Sequence, residues 1–320
     1  MYNNLQKHYP GFLFFAKVLI LVLAYRLVSE RILDASSYQL LFENLRDLKA
    51  WALPVAAALF AMTTLNWALE VVKWKRLASR IVPISFREAL KQSLSSLTVS
   101  LITPNRIGEY GAKALYFQGK ERSRVLLYNF IGNFTQMGAT LLFGFLGLWW
   151  VQGQVSELGL GWIPWWKMGL LLSVLLVGAL IAGKTKNDFI PRLLNKLKKT
   201  PGDFLGEIFL LSLLKYLVFA HQFYFLLLVF GVELDYLLCM SLIGISYLVA
   251  SLIPGFVLFD WLVKGSVAVT VFSRFGVDDI LVLSVTSLMW ILNFGLPSLL
   301  GSFYVILFRR PALKAQKSRV

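Results

Sequence analysis

The chain has 320 residues, 58% of them hydrophobic and only 15% charged, and its mean hydropathy of +0.67 excludes a soluble globular domain of ordinary composition. Lysine and arginine number 32 against 17 acids, a net charge of +15. In so apolar a chain that excess marks loops facing anionic lipid, and nucleic acid is not needed to account for it.

Apolar stretches of about 20 residues are long enough to cross a bilayer. The first, 11–28, ends around Arg26 without a small-residue cleavage site, so it reads as a retained span rather than a signal peptide. Further spans are predicted near 50–70, 125–151, 165–183, 205–231 and 280–308. Two other apolar regions, 85–118 and 237–273, are interrupted by Pro104 and Pro254, whose missing N–H and fixed φ stop a helix.

Charge sets the expected orientation. The loop with Lys73, Lys75, Arg76 and Arg80, the loop from Lys184 to Lys199 and the tail from Arg309 to Arg319 are basic and read as cytoplasmic. The connection 152–164, with Glu157 and no lysine or arginine, and the turn with Glu233 and Asp235 read as outside. Both termini are then cytoplasmic. Region 85–118 starts and ends at basic loops, so it forms a hairpin entering from inside, and 237–273 forms one entering from outside. The same charges fit two short spans in each region, about ten crossings in all.

Opposed hairpins suggest an inverted repeat. Leu97-Thr-Val-Ser100-Leu-Ile-Thr-Pro104 is similar to Leu248-Val-Ala-Ser251-Leu-Ile-Pro254 with one gap. After each proline an acid precedes a base by four residues, Glu109 with Lys113 and Asp260 with Lys264, the favourable order for a helical pair. The expected fold is therefore an all-α polytopic membrane protein, a single domain over 1–320. It has about six spanning helices and two oppositely oriented, proline-broken re-entrant hairpins. Its repeat-like halves cover about 50–151 and 205–308, separated by a basic cytoplasmic loop at 184–204.

Charge and broken backbone at membrane depth point to a functional site. Arg106 offers a planar donor fork suited to phosphate or carboxylate, and Gly108 lets backbone approach a ligand. With Pro104, Ser100, Glu109 and Lys113 they form the candidate site for an anionic lipid head group. The other reading is an interfacial turn in which Arg106 snorkels to water and Glu109 merely pairs with Lys113. Ser93, Ser96, Ser100 and Thr103 recur at helical spacing; they line a head-group path or let helices approach closely. Pro254, Asp260 and Lys264 form the second candidate, although Phe256–Leu262 holds no glycine to open a pocket.

Elsewhere the expectations are structural. Trp149, Trp150, Trp162, Trp165 and Trp166 read as an interfacial belt, His221 as a hydrogen-bonded packing residue, and the lysines of 184–199 as topology determinants. The only cysteine, Cys239, excludes an intrachain disulfide, and two histidines, His8 and His221, offer no metal cluster. Neither an H-E-x-x-H zinc motif nor a G-x-S-x-G elbow occurs. No enzymatic activity, cofactor or metal is expected of this chain alone, and a transferase reaction would need a partner chain.

Asn66-Trp67, Glu70, Lys73-Trp74 and Leu77, followed by Pro104-x-Arg106-x-Gly108-Glu109, resemble the membrane domain of bacterial lysylphosphatidylglycerol synthases, which also occurs alone as flippase-like proteins. The layout is similar over nearly the whole chain, and the specific letters lie within 66–117. Three positions depart from the family pattern: Asn105 where glycine is frequent, Lys73 where arginine is usual, and Asp260 in place of glutamate. The resemblance implies a bacterial inner-membrane protein that moves a modified phospholipid or glycolipid between leaflets, here without the soluble aminoacyltransferase domain. Two other functions stay open: a non-transporting subunit that scaffolds an envelope lipid or glycolipid enzyme, and a proton-coupled carrier of small solutes using Glu109 and Asp260. Lipid identity, direction, energy source and oligomeric state are not legible in the sequence.

Overall fold

The computed structural model describes residues 52–101, 103, 106–155, 200–253 and 260–308. Within them the chain is helical and contains no strand. The helices are α1 (Ala52–Ser79), α2 (Phe86–Leu101), α3 (Ile107–Leu115), α4 (Glu121–Val155), α5 (Gly202–Val229), α6 (Tyr236–Leu252), α7 (Asp260–Phe272), α8 (Asp279–Trp290) and α9 (Leu296–Ile306). The predicted spans 11–28 and 165–183 lie outside the described residues, as do Pro104 and Pro254 themselves.

Among the described residues four helical segments are long and apolar enough to cross a membrane: Ala52–Ser79, Glu121–Gln152, Gly202–Val229 and Asp279–Ile306. They coincide with four of the predicted spans. The two proline-broken regions become the pairs α2–α3 and α6–α7. At 1.5 Å per residue these helices are about 24, 14, 26 and 20 Å long, each short of the roughly 30 Å hydrocarbon core.

Local chemistry explains where the short helices begin. Ser85 and Glu88 form a capping box: the Glu88 carboxylate accepts from the Ser85 backbone N–H at 2.7 Å, and the Ser85 hydroxyl accepts from the Glu88 N–H at 3.2 Å. The Ser85 backbone bond, then its hydroxyl, holds the Glu88 carboxyl below its ordinary range. The sign follows directly: a lowered folded-state value means this cap contributes above the unfolded carboxyl range and is lost as pH falls through the folded one. Ser85→Ala is expected to cost about 1 kcal/mol, read as a lower unfolding midpoint, with the difference from wild type shrinking in acid. Asp235 and Asp278 cap α6 and α8 more simply, each carboxylate accepting two backbone N–H bonds.

The last span is not a regular helix. Ile291–Gly295 forms a π turn between α8 and α9, just ahead of Pro297. Proline cannot donate to the carbonyl four residues back, which here is Asn293. That carbonyl instead accepts from the Trp67 indole at 3.1 Å. The Asn293 side chain accepts from Asn66 at 2.9 Å and donates to Gln222 at 2.9 Å, and Gln222 donates to Thr63 at 2.8 Å. A polar ladder thus ties α1, α5 and the last span together, with α1 packed along α5.

The short helices are held by close crossings. α6 packs on α4, where a Cβ on Gly147 would lie 2.6 Å from the Ser241 carbonyl oxygen and one on Gly244 2.8 Å from that of Phe143. α2 packs on α9, and a Cβ on Gly301 would collide with the Leu94 carbonyl oxygen. Thr98 adds a bond to the Ser298 carbonyl at 2.7 Å. Two apolar cores result. The larger is built from α4 to α8 around Phe223, Leu227, Leu242 and Phe272; the smaller joins α1, α4 and α5 through Trp74, Leu77, Val125 and Ile208.

Candidate functional site

The site begins with the face of α1 that carries Asn66, Glu70, Lys73 and Leu77, residues three and four apart and hence in line on a helix. Lys73, which the charge pattern assigns to a cytoplasmic loop, is instead inside α1 with its side chain 3% exposed. Its sequence neighbours are basic, but α1 continues to Ser79 and turns Lys73 inward. Glu70 lies between two cations, 3.2 Å from Lys73 and 2.5 Å from Lys215 of α5. Lys73 also donates to Gln136 of α4 at 3.1 Å.

α3 supplies the second ion pair. Lys113 and Glu109, one helical turn apart, meet at 2.8 Å with side chains only 3% and 4% exposed. Lys113 also donates to Asn129 of α4 at 2.7 Å and lies 4.3 Å from the Trp74 ring centroid, a cation–π contact. The Trp74 indole in turn donates to Gln92 of α2 at 2.8 Å. One side chain after another therefore connects α2, α1, α3 and α4. Across this seam Glu70 interacts electrostatically with Lys113, and Glu109 with Glu70, so the two ion pairs form one cluster.

Arg106 stands at the edge of that cluster. Its Nε is 3.4 Å from Glu109, and 48% of its side chain is accessible. Its backbone is left-handed, φ 59°, at the N-terminus of α3, the only positive φ outside glycine among the described residues. A conformation that L-residues avoid, held at a charged residue, marks a place where surrounding structure imposes geometry.

Other sequence-predicted residues take different roles. Gly108 does not open backbone to a ligand: its bare face abuts the Thr103 side chain and the Val99 carbonyl, and its N–H donates to the Thr103 hydroxyl at 2.9 Å. Glycine is needed there because the first turn of α3 folds back onto the end of α2. Ser100 is fully buried, and its hydroxyl donates to the Leu97 carbonyl at 2.7 Å. Ser96 bonds to its own helix in the same manner. Ser93 is buried without a hydrogen-bond partner.

In the second half, Asp260 and Lys264 pair at 2.6 Å and are both about one quarter exposed, 28% and 27%. Lys264 sits 5.0 Å from the Phe294 ring centroid, at a cavity lined also by Tyr247, Trp261, Thr286 and Trp290. That cavity holds about 20 Å³, room for one water and not for a head group. A larger cleft of about 420 Å³ lies between α4 and α5, walled by Phe130, Phe134, Leu205 and Phe209. His221 is bonded at both ring nitrogens, to the Leu217 carbonyl and the Tyr236 hydroxyl, each at 2.8 Å.

Sequence reasoning missed Glu70, Lys73, Lys215, Asn129 and Gln136 as parts of the site. Glu70 and Lys73 did carry a signal, being opposite charges three apart within an apolar helix. Lys215, alone in the middle of a predicted span, was another, because such a charge needs a partner inside the protein.

The family described as lysylphosphatidylglycerol synthase TM region matches residues 13–301. No curated protein and no solved structure matches the chain significantly. The family match takes in both pairs of short helices, three of the described spans with most of the fourth, and every charge of the cluster: the chain belongs to the lysylphosphatidylglycerol synthase transmembrane-region family.

Proposed function

We propose that the protein is a lipid translocator of the bacterial inner membrane, with both termini cytoplasmic, that moves lipids with an anionic phosphate head between leaflets. The observation that carries this reading is the half-exposed Arg106 guanidinium beside a fully buried Glu109–Lys113 pair. A strained backbone holds Arg106 where the chain turns between two short helices. Ionised groups at such a place need a polar ligand or an aqueous cavity, and a planar donor fork suits phosphate. In the proposed mechanism Arg106 engages the head group, Glu109 and Lys113 hold Arg106 and the local field in place, and the acyl chains stay in lipid.

The packing supports two re-entrant pairs related by an inverted repeat. Exchanging the halves maps α1 onto α5, α2 onto α6, α3 onto α7 and α4 onto α8–α9. The contacts follow that exchange: α1 meets α5, α2 packs on α9 as α6 packs on α4, and α3 packs on α4 as α7 packs on α8. Transporters built this way place substrate where the broken helices meet. A proton-coupled carrier is less well supported, because Glu109 and Asp260 are each already in a close ion pair.

Reconstitution in liposomes with labelled anionic lipids tests the reading directly. Leaflet exchange no faster than in protein-free liposomes, for every head group tried, would rule it out. Arg106→Gly separates function from folding. It relieves the left-handed strain and is expected to raise stability by about 1 kcal/mol while reducing exchange to near background. Full exchange by this variant would remove Arg106 from the mechanism.

A further inference from the structure

One side of α4 serves the charge cluster, where Asn129 and Gln136 meet Lys113 and Lys73. Another side is apolar and open. Phe130 and Phe134, one turn apart, stack at 5.9 Å, and Phe134 is 64% exposed. Together with Ile131, and with Leu205, Gly206 and Phe209 of α5, they wall the cleft of about 420 Å³, a volume in the range of small-ligand sites. The remaining lining residue, Thr135, has its hydroxyl engaged by the Gly132 carbonyl and Ser212. Nothing in the cleft asks for a hydrogen bond, so it suits an apolar occupant.

Gly206 is an independent sign that this volume is kept open. Glycine weakens a helix interior, and elsewhere in this protein a close crossing accounts for it, as at Gly147 and Gly301. At Gly206 a Cβ would meet nothing within 4 Å. No neighbouring helix requires the missing side chain there, and what its absence preserves is space in the cleft.

The position of the cleft indicates what fills it. Val125 and Ile131 of α4 share a core with Phe204 and Ile208 of α5, and Thr135 meets Ser212 further along. The two helices therefore run parallel and start at the same end. Arg124, seven residues before Ile131 and so on the same face of α4, lies about 10 Å nearer that end. It donates to the Arg80 carbonyl at 3.0 Å, and the Arg80 guanidinium stands 4.2 Å from the ring centroid of Phe204, the neighbour of Leu205. Both arginines are exposed. The acids at this end of α5, Asp203 and Glu207, are one turn apart on the side where Glu207 pairs with Arg76 of α1 at 2.8 Å. The charge pattern assigns this end to the cytoplasm, where the leaflet is anionic. An apolar cleft with guanidinium groups beyond its mouth is complementary to a lipid with an anionic head. A helix of a second copy would fill the cleft and leave the arginines unmatched.

We infer that the α4–α5 cleft holds one acyl chain of an anionic phospholipid of the cytoplasmic leaflet, with its phosphate at Arg80 and Arg124. This lipid is a resident one, separate from any head group at Arg106, and the inference does not rest on the translocator reading.

The test uses the full chain purified in uncharged detergent at low ionic strength, titrated with phosphatidylglycerol and phosphatidylcholine of identical acyl chains. Binding is read from native mass spectrometry and lipid-dependent thermal stability. Phosphatidylglycerol is expected to bind about tenfold more tightly, since each basic residue at a membrane surface contributes roughly fivefold. Arg80→Gln/Arg124→Gln should bring the ratio close to one. Gly206→Trp fills the cleft and should weaken both lipids about tenfold, with the lipid-free unfolding midpoint unchanged or higher. Arg106→Gly should bind as the wild type does.

Equal binding of the two lipids overturns the inference, and so does binding that survives Gly206→Trp. A lower midpoint in that variant with lipid binding unchanged would mean that protein fills the cleft, either residues 156–199 or a second copy. Binding lost in Arg106→Gly would move the lipid to the charge cluster. If Gly206→Trp does not fold, wild-type protein cross-linked to phosphatidylglycerol with a photoreactive acyl chain decides. Adducts concentrated in 130–135 and 205–209 support the site, and adducts only elsewhere overturn it. Leaflet exchange tests the translocator reading separately, whichever way these results fall.

Discussion

Lys113→Met is expected to cost on the order of 3–5 kcal/mol of stability. Lys113 is buried, pairs with Glu109 at 2.8 Å, donates to Asn129 and sits over Trp74. Removing it leaves the Glu109 carboxylate buried with only Arg106, 3.4 Å away and half-exposed, to offset it. The double variant Glu109→Gln/Lys113→Met removes both charges together, and replacing a whole buried pair is often close to neutral. It should recover most of the lost stability, measured as the unfolding midpoint in detergent micelles. Leaflet exchange should not recover, because Arg106 loses the carboxylate that holds it. Additive losses in the double variant would mean that the pair is not energetically coupled, and recovered exchange would mean that Glu109 does not position Arg106.

Gly301→Val should be of similar size, above about 3 kcal/mol, at the severe end of overpacking. A side chain at Gly301 would strike the Leu94 carbonyl oxygen and the Thr98 hydroxyl, and a backbone carbonyl cannot swing aside as the tip of a flexible side chain can. The collision would lever α2 away from α9 and displace the turn that carries Arg106. Gly111 provides the contrast: it lies within α3, and a Cβ there meets nothing within 4 Å. Gly111→Ala is therefore expected to stabilise the protein by up to about 1 kcal/mol through helix propensity alone. Expression level and thermal midpoint of the two variants, measured side by side, decide the point. A well-folded Gly301→Val would show that the α2–α9 contact is looser than its geometry.

Much of the fold was legible in composition. Long apolar runs bounded by charge give α1, α4, α5 and the last span within a few residues, because in hydrocarbon every backbone polar group must be satisfied within its own helix. The acid–base pairs were equally legible: Glu109 with Lys113 and Asp260 with Lys264 obey a local helical rule and are both formed. Less local features were misread. Lys73 looked like a loop residue because basic neighbours follow it, yet one helical turn places it beside Glu70. Ser100 was open to two readings, a ligand path or helix packing, and its hydroxyl bonds the Leu97 carbonyl, while Gly108, read as open to a ligand, abuts Thr103 and the Val99 carbonyl.

The sequence by itself determined that the chain is an all-α membrane protein, where four of its spans run, and that two regions are broken and carry paired charges. Those are consequences of hydropathy and of residues within one turn of each other. Only the tertiary structure decided that Glu70, Lys73, Lys113, Lys215, Glu109 and Arg106 form one cluster and that Asn293 joins three helices. It also decided that the cavity beside Lys264 holds only about 20 Å³. These depend on residues as far apart as Asn66 and Asn293, and which buried charge meets which partner follows from how the helices cross, which no short stretch of sequence records.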